Sequence, residues 1–139
     1  MRRTLTKMFA AATALGATPI AVAQASSPQI EASVSIVQGQ VDAFNKGDLD
    51  AFASYYAEDV ELFDLGPELK PNLSGRAALI ARYKPMLTKY HPKATILSRM
   101  EADGFVIDKE RTEAGGRSSE GVAIYQVEFG KIRRVWFTP

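Results

Sequence analysis

Residues 45–64 read NKGDLDAFASYYAEDVELFD, a stretch that holds a turn, a short helix and a strand in quick succession. Gly47 has the character of the left-handed residue that closes a preceding helix, and Asp48 that of an N-cap for the next. Leu49, Phe52, Ala53 and Tyr56 recur at i, i+3, i+4 and i+7, which predicts a short helix with one apolar face. After Glu58 and Asp59 the period changes to two, setting Val60, Leu62 and Asp64 on one face of a strand and Glu61, Phe63 and Leu65 on the other. If Val60 and Leu62 look into a core, so does Asp64, and a carboxylate there must be paired, hydrogen-bonded or held neutral. The alternative is that the strand has ended by Asp64, since Gly66-Pro67 signals a loop, and that the acid is simply wet.

Upstream, Ser27 is a candidate N-cap with Pro28 in the first turn, where its missing N–H costs nothing. Ile30, Val34, Val37, Val41 and Phe44 follow in an amphipathic stripe that predicts a helix ending at Gly47. Asp42 is expected to face solvent, and Gln40, at the flank of the stripe, can look either way. Downstream, Gly66 to Leu73 (GPELKPNL) is expected to be a loop beside Asp64, able to cap a pocket or merely to connect. Ser74 is then the candidate cap of a third helix, with Leu79, Ile80, Tyr83, Leu87 and Tyr90 in helical period and Pro85 expected to kink the axis. Arg76, in its first turn, is either solvated or reaches Glu68 or Asp64. His91, the sole histidine, falls in the turn that ends this helix, where it serves the helix dipole or the surface, or folds over a pocket mouth as a partner for Asp64.

From Lys93 onward the period is two. Strands are predicted over Thr95–Met100, Phe105–Thr112, Ser119–Phe129 and Ile132–Thr138, joined by turns at Asp103-Gly104, Gly115-Gly116 and Gly130-Lys131. Gly121, Ala123, Tyr125, Val127 and Phe129 share one face, and small residues followed by Tyr125 leave room for a cavity. Trp136, in the last strand, is core or pocket wall. Helices followed by hairpins define an α+β order.

The chain of 139 residues, 46% hydrophobic and 24% charged, suits one globular domain. Its first 25 residues stand apart: Arg2, Arg3 and Lys7 precede an apolar run from Met8 to Val22, and Ala23-Gln24-Ala25 has the form of a cleavage signal. Residues 1–25 are therefore expected to be a secretory signal peptide and residues 26–139 the mature domain, exported to the periplasm or secreted, with no membrane association once the leader is removed. Gly16 and Pro19 interrupt the apolar run, and about 20 apolar residues are needed to span a bilayer. Removal takes three of the 17 basic residues and none of the 16 acids, which leaves 14 against 16 and a net charge of −2. No basic patch for nucleic acid is expected. The absence of cysteine excludes disulfides, thiol nucleophiles and thiolate metal sites. With one histidine besides, neither a metal nor another cofactor is expected.

The run Gly-Asp-Leu-Asp at 47–50, the pair Tyr55-Tyr56, Ala-Glu-Asp-Val at 57–60, a strand ending in Asp64 and Leu-Ser-Gly-Arg at 73–76 resembles the nuclear transport factor 2-like superfamily. Within it, the match is to the SnoaL-like and ketosteroid-isomerase-like proteins, over about Gln29 to Phe137. The resemblance implies an α+β cone, with about three N-terminal helices packed on a curved, mainly antiparallel sheet. It places Asp64 at the general base of the isomerases. Two positions depart from the isomerase pattern: the helix-1 tyrosine falls near Gln40, and the late-strand aspartic acid falls at Tyr125, whose phenol can still donate a hydrogen bond. The resemblance further implies a pocket for a small apolar molecule at the open end of the cone, with Gln40, Phe44, Tyr56, Leu62, Tyr83 and Trp136 expected to line it. It also allows a homodimer packed sheet to sheet.

Two functions are consistent with these residues. In the first, Asp64 is a buried base or acid whose proton affinity is raised by its apolar surroundings, and Tyr125 donates to developing negative charge. The reaction would then be an isomerisation, dehydration or cyclisation by proton transfer. In the second, the domain binds a ligand or a partner without turnover, Asp64 is wet or paired to Arg76 or Arg99, and aromatic side chains fill the cone.

Overall fold

The computed structural model describes residues 27–139, so the expected leader at 1–25 lies outside the described residues. Helix α1 spans Pro28–Lys46, with the Ser27 hydroxyl accepting from the Ile30 N–H at 3.3 Å and Gly47 closing it in the left-handed region at φ 71°. Helix α2 spans Leu49–Ser54, capped by Asp48, whose carboxylate accepts from the Ala51 N–H at 3.0 Å. Both caps satisfy N–H groups that the helix cannot reach itself. The helix is shorter than its periodicity predicts: Tyr56 already opens strand β1, Tyr56–Asp64. The apolar face of α2 and the inner face of β1 meet the same core, so the aromatic spacing continues across the junction while the backbone changes conformation.

Strand β2, Pro71–Ser74, lies where a loop is expected. It pairs antiparallel with β1, Leu62 opposite Leu73 and Phe63 opposite Pro71, with Asn72 bulged between them. As an edge strand it tolerates proline. Because Ser74 is used in that ladder, helix α3 (Arg76–Tyr90) starts from Gly75 without a side-chain cap, and it runs through Pro85. Strands β3 (Lys93–Ala102), β4 (Phe105–Ala114), β5 (Arg117–Glu128) and β6 (Lys131–Phe137) follow as hairpins. Phe129, expected on β5, sits instead in the β5–β6 turn with φ 50°, beside Gly130 at φ 74°. Two-residue hairpin turns of this hand demand positive φ at both positions.

The sheet order is β2-β1-β6-β5-β4-β3, antiparallel throughout except where β1 runs parallel to β6. Three helices of the described residues cover one face, and the result is the open, curved α+β cone implied by the resemblance. Its core joins Val37, Phe52, Val60, Leu79, Ile132 and Val135, all essentially without solvent exposure. Asn45 ties the end of α1 to the start of β3: its side chain donates to the Ala94 carbonyl at 2.9 Å and accepts from the Ala94 N–H at 2.7 Å. That anchor fixes the end of α1 against β3 at Ala94, which lines the cavity described below.

Candidate ligand-binding site

The register of the β4–β5 hairpin decides which side chains enter the cone. Val106 lies opposite Tyr125, Asp108 opposite Ala123, Glu110 opposite Gly121 and Thr112 opposite Ser119. With a period of two, these eight residues share the inner face. A bulge at Leu97 in β3 turns Arg99 to the same face, opposite Asp108. Small side chains at Gly121 and Ala123 leave a cavity of about 270 Å³, walled by Gln40, Phe44, Phe52, Tyr56, Tyr83 and Tyr125, with Glu110, Thr112, Ser119 and Phe137 toward its mouth. Beyond Glu110 and Phe137, a second hollow of about 240 Å³ continues past Gly121 and Thr138.

The deep end is a polar chain set in aromatic packing. The buried Gln40 amide donates to Tyr125 Oη at 3.2 Å, and the Tyr56 hydroxyl donates to Gln40 Oε1 at 3.1 Å. Gln40 is thus fully inside at 3% exposure, settling the choice its flank position left open. Its partners explain why a buried amide is tolerated: each of its two polar ends is hydrogen-bonded. Tyr125 accepts in this chain, so its own O–H proton is available to the cavity. Burial pushes the Tyr56 and Tyr125 phenols well above their ordinary range and Tyr83 up to about 12, so all three are neutral donors near neutral pH.

Two carboxyls on β4 face this interior and differ in their partners. Asp108, with 0% exposure, accepts from Arg99 through two bonds of 2.7 and 2.8 Å, and Arg99 also donates to Gln38 Oε1 at 2.9 Å. That forked contact is the strongest way to hold a buried carboxylate. Glu110 has no side-chain hydrogen bond or ion pair among the described residues. Burial first, then the neighbouring Asp108 charge, raise its pKa from 4.5 to about 7, against the lowering influence of Arg99. Among the described residues, Glu110 is therefore the one cavity-wall group able to take up or release a proton near neutrality.

The structure brings together Gln40, Phe44, Tyr56, Tyr83 and Tyr125 of the residues expected from sequence, and it leaves out three. Asp64 is solvent-exposed and does not line the cavity. It does share the inner face of β1, level with Phe137 of β6. At the strand's last residue, though, the chain turns into the exposed segment 66–70, beyond the enclosed part of the cone. Leu62, at 2% exposure, lies in the core beneath the cavity rather than on its wall. Trp136 is neither core nor wall: it sits on the outer face of the sheet, stacked on Phe63 at 5.4 Å and 16°. Arg76 pairs with Glu58 at 3.0 Å, and Arg99 with Asp108, so neither meets Asp64. His91 is exposed, in the left-handed region at the end of α3, away from the cavity.

Asp108 and Glu110 are the residues that sequence reading missed. Their signal was present: a turn at Gly115-Gly116 pairs Ala114 with Arg117, and counting back from it sets Asp108 and Glu110 opposite Ala123 and Gly121, on the face already expected to leave a cavity.

A helical layer over a curved six-stranded sheet, with a phenol-lined hollow between them, defines a pocket protein of the nuclear transport factor 2-like superfamily. Residues 37–135 match the model of the SnoaL-like domain, and the chain belongs to that family. Among solved structures it is similar to a provisionally assigned polyketide cyclase from Xanthomonas campestris pv. campestris, at 26% identity and TM-score 0.66, over 80% of this chain and 92% of that one. A provisionally assigned ketosteroid isomerase from Kribbella flavida DSM 17836 shares 20% identity at TM-score 0.66, over 79% and 78% of the two chains. A computationally designed 17-OHP binder shares 16% identity at TM-score 0.67, over 76% and 88%. No curated protein matches the sequence.

Proposed function

We propose that this protein binds a small molecule with an apolar body in the cone and moves a proton on it, with Glu110 as the base or acid and the Tyr125 hydroxyl as donor to developing negative charge. The observation that carries the reading is an aromatic cavity with one unpaired carboxyl in its wall, titrating near neutrality. A volume of about 270 Å³ suits a compound smaller than the ligands of typical drug-sized pockets, which run to about 300–1,000 Å³. Glu110 at its raised pKa is matched to proton abstraction at neutral pH, and the Tyr125 hydroxyl, whose proton the Gln40 bond does not use, can donate to a developing oxyanion. The likeness to a provisional isomerase, a provisional cyclase and a designed binder supports the same class of site. Asp64, the base implied by resemblance, is the competing assignment. Solvent deuterium exchange into a small enolisable cyclic ketone separates the two: exchange is expected with wild type and with Asp64→Asn, and its loss is expected in Glu110→Gln. Loss in Asp64→Asn with full activity in Glu110→Gln would return the base to Asp64, and no exchange with any of the three proteins would remove catalysis.

The proposal extends to the setting. The sequence of residues 1–25 supports an exported protein, periplasmic or secreted. The outer sheet face, with Phe63, Trp136 and Phe105 in contact and Met100 62% exposed, supports a homodimer packed through it. Sedimentation equilibrium should give twice the chain mass, and a monomer at high protein concentration would remove that part of the proposal.

A further inference from the structure

The wall of the cavity has a chemical bias. Phe44, Phe52, Tyr56 and Tyr83 form one continuous aromatic surface, with ring centroids 5.9 Å apart for Phe44–Phe52, 4.8 Å for Phe52–Tyr83 and 5.0 Å for Phe52–Tyr56. Tyr125 and Phe137 add to it from the sheet side, and among the described residues no lysine, arginine or histidine lines the space. The cation nearest in chemistry, Arg99, is already committed to Asp108 and Gln38. Aromatic faces carry negative electrostatic potential and attract cations within about 6 Å of a ring centre. Glu110 has the same sign of preference, and Asp108 stands behind it on the same strand face.

Each class of ligand meets this wall differently. An anion faces Glu110 and the aromatic rings, and among the described residues no free cation lines the space to receive it. A purely apolar ligand displaces water from a carboxyl that has no protein partner, which is costly when the group is ionised. A cation on an apolar body takes the ring faces and supplies the partner Glu110 lacks. We propose that the ligand of this cavity carries a positively charged nitrogen on an apolar body, an organic ammonium seated against the aromatic wall with Glu110 as its counter-charge. The inference rests on the reading of the cone as a small-molecule site and narrows it to a chemical class. A bound cation favours the ionised form of Glu110, so the carboxyl should lose its proton as the ammonium binds.

The test compares two probes of one shape, benzyltrimethylammonium and its uncharged carbon isostere neopentylbenzene, titrated into the purified protein and followed by NMR shifts of the cavity tyrosine and phenylalanine rings. The ammonium should bind at least tenfold more tightly than the isostere. Glu110→Gln should erase most of that preference, weakening the ammonium while the isostere binds as well as or better than to wild type, and Tyr83→Leu should weaken the ammonium more than the isostere. Equal or tighter binding of neopentylbenzene to wild type overturns the inference and leaves the small-molecule site standing. Absence of any ring shifts with both probes removes the site as well.

Discussion

Arg99→Ala should destabilise the fold by about 3–5 kcal/mol in urea unfolding followed by circular dichroism, the largest loss expected from any single side chain outside the apolar core. The magnitude comes from what is left behind. Asp108 has 0% exposure and holds both its oxygens on the Arg99 guanidinium, so removing the arginine strands a charge that water cannot reach. The attraction itself is not the source, since desolvation of the two ions offsets much of it. A double replacement, Arg99→Met with Asp108→Leu, should accordingly recover most of the loss. Arg99→Lys should fall between, because an ammonium keeps the charge but cannot reproduce the two-pronged contact. A loss below about 1 kcal/mol for Arg99→Ala would mean that the aspartate readily finds water or a proton, contrary to its burial.

The second large effect is a pH dependence with an unusual direction. Glu110 titrates near 4.5 when unfolded and near 7 in the folded chain. Below pH 4.5 both states hold the proton and burial of the neutral acid costs little. Between 4.5 and 7 the folded state keeps a proton that the unfolded state has released, so stability falls by about 1.4 kcal/mol per pH unit. The accumulated penalty is about 3 kcal/mol and stays constant above pH 7. Most paired carboxylates act in the opposite sense, stabilising a protein as pH rises. Glu110→Gln should therefore match wild type at pH 4 and exceed it by up to about 3 kcal/mol at pH 8, read as the difference between paired urea titrations. A constant difference between the two proteins across that range would show that Glu110 is hydrated and titrates like a free side chain.

Much of the cone is legible in the sequence, for identifiable reasons. Helix ends marked by Ser27, Gly47 and Asp48 depend on local backbone chemistry, which the sequence carries directly. A hairpin with glycines at its turn fixes the register of β4 against β5 by counting, and so it fixes Tyr125 on the inner face. The shortfalls have a common origin in long-range geometry. Asp64 has the right face of β1, but how far the helices roof that strand is set by the packing of α1 and α3, and no local signal marks it. Strand β2 is visible only through its partner, because Pro71-Asn72-Leu73-Ser74 has no strand pattern of its own. Trp136 alternates correctly along β6, yet which of two faces is covered depends on the sheet's curvature rather than on the residue.

The position of β6 carries a consequence for biosynthesis. This strand is the last of the described elements along the chain, yet it lies in the middle of the sheet, between β1 on one side and β5 on the other. Until it is made, the described β1–β2 ribbon and β3–β5 meander have no backbone ladder joining them, so the sheet can close only once its central seam arrives.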